Sequence, residues 1–181
     1  TDVSDTSIYL NWDNCPYHTG SSSLTGWTKY IPSEKSSFWS GSDSPDNKKV
    51  LDQEDDIAHV KSSGKWRIPT YEEWYELYST CSSEWITLNG VAGRKFTSSK
   101  TGNSIFLPLA GAFYEGSDTG RVWEGVTGYY WSSTLLVSHS TPHKAYSFVV
   151  GVRDSDGSLV GGADTISEQR SAGYSVRPVC E

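Results

Sequence analysis

One stretch of this sequence carries a complete set of helix signals, and it limits what the rest can be. Pro69 stops any upstream helix, and Thr70-Tyr71-Glu72-Glu73 has the spacing of a capping box. Tyr71, Trp74, Tyr75 and Tyr78 then recur at intervals of three and four, with Leu77 beside them. That spacing predicts one broad packed face, with the aromatic stripe in the core. A second, short helix is expected within Leu51–Val60, where the acids come first and the apolar residues after, as a helix dipole favours. Helical propensity fades at Ser79-Thr80-Cys81-Ser82-Ser83, and most of the chain beyond Ser83 reads as short strands and turns.

Trp85-Ile86-Thr87-Leu88 runs into Asn89-Gly90, a strong hairpin signal. Lys100-Thr101-Gly102-Asn103 marks another turn, Ile105-Phe106-Leu107 a short buried strand, and Pro108 and Gly111 a break in regularity. Further strands are expected at Tyr129–Ser133, Ala145–Val150 and Tyr174–Val179, with a turn at Asp154-Ser155-Asp156-Gly157. Near the start, Ile8, Leu10 and Trp12 alternate as a strand would, and 33–47 has loop character.

A chain of 181 residues suits a single domain, over 1–181, with a sizeable core. Eight Trp, eleven Tyr and five Phe supply much of the apolar area that scarce aliphatics do not. Seventeen Gly favour turns and short strands over helix bundles. A net charge of −7 argues against nucleic acid, whose phosphates call for a basic surface. No apolar run approaches the roughly twenty residues of a membrane span. The sequence opens without a signal peptide, as an exported chain with its leader removed would.

Within the last fifty residues, Gly128-Tyr129-Tyr130-Trp131-Ser132-Ser133-Thr134 and Ser171–Val179 bracket a run with neither helical nor strict strand patterning. Regular ends around a permissive middle suit a binding face carried on a rigid scaffold.

Catalytic constellations are not evident. The sequence has no Gly-x-Ser-x-Gly elbow, no phosphate-binding Gly-Lys loop and no His-Glu-x-x-His. His139 and His143 are four apart, but Thr141-Pro142 between them excludes the helix that would make them a metal pair. The acidic run at Asp52–Asp56 suits calcium, whereas Asp154–Gly157 lacks the rest of an EF-hand. Cys15, Cys81 and Cys180 read foremost as small buried thiols, with one bridge, such as Cys81 to Cys180, as the alternative.

The ordered motifs carry a resemblance. Leu51–Val60, Gly64–Trp74 with its Trp66-Arg67-Ile68-Pro69-Thr70 core, Asn89–Thr97, Asn103–Pro108 with Gly111, Gly128–Ser133 and Gly173–Val179 resemble the major paralogous domain family of Bacteroidetes surface proteins. The likeness covers about residues 50–180. That family is similar in fold to formylglycine-generating enzymes, which implies an α+β, C-type-lectin-like fold: small twisted antiparallel sheets, one or two helices and long loops. Several members look like the variable proteins of diversity-generating retroelements, which mutate binding residues on this scaffold. The resemblance implies that Trp66–Thr70 enters the first long helix, that Trp131, Ala145, Phe148 and Val176 are framework, and that 128–180 is the ligand-binding region. Adenine-directed mutagenesis of asparagine codons cannot yield Lys, Glu, Gln, Trp or Met, and within 134–171 only Lys144, Glu168 and Gln169 belong to that set.

The expectation is therefore a non-catalytic receptor or adhesin, extracellular on a cell or virion surface, with a hypervariable surface around 134–171 and a protein or glycan ligand. Its candidate contacts are Tyr130, Leu135, Val137, His139, His143, Tyr146, Ser147, Val149, Gly151, Arg153, Asp154, Asp156, Ser167 and Arg170. Phe148 belongs more to the core, since Ser147 and Val149 flank it on a strand. No cofactor is expected beyond the possible calcium. A fixed adhesin or pilus-associated subunit is the alternative. A formylglycine-generating catalyst stands third, because no cysteine pair of that kind is evident. The Glu-Pro-Asn, Gln-Pro-Asp and Trp-Asn-Asp strings of calcium-dependent sugar binders are absent too.

Overall fold

The computed structural model describes residues 28–31, 45–114, 121–136, 143–151 and 163–180. The strand expected at Ile8–Trp12, most of the 33–47 loop and the turn at Asp154–Gly157 lie outside them. Helix α1, Ile57–Ser62, is shorter than its acidic run suggests. Its N-cap is Asp56, whose Oδ1 accepts the amides of Ala58 and His59. Oδ2 of the same buried carboxylate accepts the Ile68 amide, tying α1 to strand β1, Trp66–Arg67. The acids before Asp56 form a turn instead of a first helical turn, with Asp52 O accepting the amides of Asp55 and Asp56.

Helix α2, Tyr71–Thr80, opens as its sequence demands. Thr70 accepts the Glu73 amide and Glu73 accepts the Thr70 amide, completing the capping box. Arg67 grips both Glu73 oxygens at 2.7 Å, so the residue that caps the helix also fixes its angle to β1. The packed face is narrower than its aromatic spacing predicts. Only Trp74 is buried and Leu77 is half-buried, whereas Tyr75 and Tyr78 stay 54% and 45% exposed.

Strands β2 (Cys81–Leu88), β3 (Val91–Ser98) and β4 (Ser104–Pro108) form an antiparallel meander. Leu88 pairs with Val91 across Asn89-Gly90, both at positive φ, which is the two-residue hairpin turn expected there. Strands β5 (Ala112–Phe113) and β6 (Arg121–Val122) pair next. Strands β7 (Gly128–Leu135), β8 (Lys144–Val150) and β9 (Ala163–Gln169) make the second three-stranded antiparallel sheet. Strand β9 lies where the sequence shows no clear pattern; its seven-pair ladder with β8 makes it a strand. The expected strand at Tyr174–Val179 resolves into single bridges at Gly173 and Ser175, then β10 (Val179–Cys180), which pairs with β1.

The result is strand-rich α+β architecture with small antiparallel sheets and few helices. Its main core lies between α2, the meander and one face of the β7–β8–β9 sheet. Trp74 stacks on Phe148 at 4.7 Å, and Phe96, Leu107, Leu109, Tyr130 and Val150 surround them. Cys81 and Cys180 are both free, one half-buried and one exposed, so neither the bridge between them nor the buried-thiol reading holds for this pair. Cys15 lies outside the described residues. Among the described residues no helix is long and apolar enough to cross a membrane.

Candidate functional site

Side chains alternate across a strand, so β7 sends Tyr130 to one face and Tyr129 with Trp131 to the other. The Tyr130 face is the core face. Ser175 runs parallel beside β7, bonded to Tyr129 O and the Trp131 amide, which puts Tyr174 on the outer face with those two rings. There Tyr174, buried at 8% exposure, stacks on Tyr129 at 4.8 Å and on Trp131 at 4.5 Å, and with Ala112 and Ala172 makes a second, smaller core against which these half-buried rings pack. Tyr114 and Trp123 extend the row, with Trp123 half exposed at 49%. The Tyr114 and Tyr174 hydroxyls bond each other. Burial pushes the Tyr129 hydroxyl up to about 12, with nearby Tyr114 and Glu168 adding to the shift. These phenols stay neutral and offer ring area and hydrogen bonds instead of charge.

At its other end Trp131 walls a cavity of about 220 Å³. Ile68, Leu135 and Ala145 supply further apolar lining, and Tyr30, Leu51 and Asp55 close it from the N-terminal side with Arg170. The Arg170 guanidinium donates to Tyr30 O at 3.0 Å, and its backbone amide donates to His143 O. Asp55 accepts bonds from the Tyr30 hydroxyl and from Lys29. Cavity and ring row are therefore continuous through one side chain, Trp131.

The acidic run is the one group among the described residues with carboxylates close enough to share a metal, at Asp52, Glu54 and Asp55. Its charge is already met by ammonium groups. Lys29 Nζ lies 2.9 Å from Asp52 and 3.5 Å from Glu54 and also pairs with Asp55, while Lys48 binds Asp52. Lys48 and Lys29 hold the Asp52 carboxyl below its usual range. A calcium ion here would have to displace both lysines.

Burial places several of the candidate contacts inside the protein. Tyr130, 3% exposed, belongs to the core and donates its hydroxyl to Pro108 O. Val149 and Ser147, beside Tyr129 and Trp131 across β7 and β8, are buried at 5% and 1% within the chain. Gly151 is buried at φ +88°, where an added Cβ would stand 2.5 Å from Val126 O, so this position has no freedom to vary. His143 is buried, and burial, with Lys144 and Arg170 nearby, lowers its pKa. Leu135 is buried too, though as a wall of the cavity. Arg170 reaches the same cavity. Tyr146 and Ser167 face each other across β8 and β9, both half-buried. Val137, His139, Arg153, Asp154 and Asp156 lie outside the described residues.

Sequence reasoning points to Tyr130 and does not single out the ring row of Tyr129, Tyr174, Tyr114 and Trp123; it treats Trp131 as framework, and Trp131 does pack on the small core around Tyr174. The Tyr129-Tyr130-Trp131 run holds the signal, because alternation forces 129 and 131 to share a face; which face meets the main core cannot be read locally. No family model, curated protein or solved structure matches the chain.

Proposed function

We propose that this chain is a non-catalytic ligand-binding protein on a C-type-lectin-like scaffold, a variable protein of a diversity-generating retroelement displayed on a cell or virion surface. The observation that supports this best is the continuity of the cavity with the ring row through Trp131, on the sheet whose two other strands lie within 134–171. Trp123, 49% exposed, and the half-buried edges of Tyr114, Tyr129 and Trp131 supply aromatic contact area at low conformational cost, held in place by the buried Tyr174. A protein or glycan is the ligand class such a surface takes.

The test is to sequence this gene across a source population, beside any near-copy of its 3′ end. Substitutions should fall within 134–171, opposite adenines in the copy, and should spare Phe148, Val150 and Gly151, which the fold buries. Substitutions spread evenly along the gene, or falling freely on those three, would defeat the proposal. An invariant window would favour a fixed adhesin.

A further inference from the structure

The exposed side of α2 carries a second surface, remote in kind from the ring row. At about 100° per residue, Tyr71, Tyr75 and Tyr78 fall within about 60° of one another. Folding buries Trp74 and half-buries Leu77 on the neighbouring stripe, while on this one Tyr71 is half-buried and Tyr75 and Tyr78 stay exposed at 54% and 45%. The row is ordered by its own contacts. Tyr71 stacks on Tyr75 at 6.4 Å and meets Tyr146 of β8 at 4.6 Å. Large exposed rings gathered on one face mark an interaction site more often than scattered ones do.

Glu72 and Glu76 run beside the tyrosines on the next stripe, both exposed, and neither side chain has an ion pair among the described residues. The sequence of α2 contains no basic residue, and the whole chain carries −7. An acidic row parallel to an aromatic row suits cationic side chains, which gain attraction from both the carboxylates and the ring faces. The chain uses the same contact internally on the adjacent meander, where the Arg94 guanidinium lies 5.0 Å from the Trp85 ring centroid.

We infer that the Tyr71–Tyr75–Tyr78 face of α2 docks a basic segment of a partner polypeptide, its arginine or lysine side chains lying over the tyrosines and against Glu72 and Glu76. The test uses labelled oligoarginine and oligoglutamate peptides of equal length, with binding read by fluorescence anisotropy over a series of salt concentrations. Oligoarginine should bind, and oligoglutamate should not. Y75A/Y78A, which leaves the charge unchanged, should weaken oligoarginine binding about tenfold or more, as loss of central aromatic anchors does. E72Q/E76Q should weaken it and flatten its salt dependence. Circular dichroism checks that both variants remain folded, and because all four side chains are exposed, each variant reads the surface independently. Equal binding of the two peptides would overturn the inference. So would undiminished oligoarginine binding by Y75A/Y78A, since the overall negative charge would then suffice to attract the peptide.

Discussion

Gly151 and Ser147 show how single positions in the expected binding window are governed by packing. Gly151 sits at φ +88° against the Val126 carbonyl. Gly151→Ala should lose at least about 2 kcal/mol through backbone strain and collision, measured as a shift in denaturant midpoint. Ser147 is 1% exposed, and its hydroxyl has no hydrogen-bond partner among the described residues. An unsatisfied buried hydroxyl costs stability, so Ser147→Ala should be neutral or stabilising by up to about 1 kcal/mol in the same measurement. Both residues lie in a stretch that reads as permissive in sequence, because small residues look alike whether they line a loop or fill a crowded interior.

At the scale of elements, α2 is the most legible and also the most instructive. Its start depends on contacts within four residues, so Pro69 and the Thr70–Glu73 box are enough to place it. Thr70→Ala should cost about 1 kcal/mol by removing the cap. Arg67 beside Glu73 holds that carboxyl below its usual 4.5, with the Thr70 amide helping and burial opposing. A lowered carboxylate pKa adds stability that is fully present above the unfolded value and disappears as pH falls through the folded value. Unfolding midpoints should therefore fall as pH drops below about 4.5, and Glu73→Gln should flatten that acid-side decline. The helix's exposed tyrosines are not legible, because helical spacing shows which residues share a face but not how wide a neighbour covers it. Strand β9 escapes the sequence for a related reason: with Ile166 its only large apolar residue, it takes its regularity from pairing with β8.

Across the whole molecule, Phe148 joins α2 to both three-stranded sheets, stacking on Trp74 and meeting Phe96 at 5.8 Å. Phe148→Ala should cost about 3–5 kcal/mol, because the void lies where three elements meet and none can close it alone. Tyr75→Ala, by contrast, should move the midpoint by no more than about 0.5 kcal/mol. Matched denaturation curves for these two variants would separate the ring that assembles the core from the ring left for solvent. If Phe148→Ala proved as mild as Tyr75→Ala, the two sheets would not share one core.

The amino-acid sequence alone determined the features set by neighbours along the chain: the α2 cap, the Asn89-Gly90 hairpin turn, the short strands at Ile105–Leu107 and Ala145–Val150, and the strand-rich α+β character. Each rests on backbone geometry or hydrogen bonds spanning a few residues. Only the tertiary structure decided which side of each element is covered. It turned Tyr130 into the main core and Trp131 to the opposite face of the sheet, left Tyr75 and Tyr78 exposed, kept Cys81 and Cys180 apart as free thiols, and brought Lys29 onto the acids at Asp52–Asp55. Those outcomes rest on contacts between residues distant in sequence. Burial depends on the partner surface, and local periodicity carries no record of that surface.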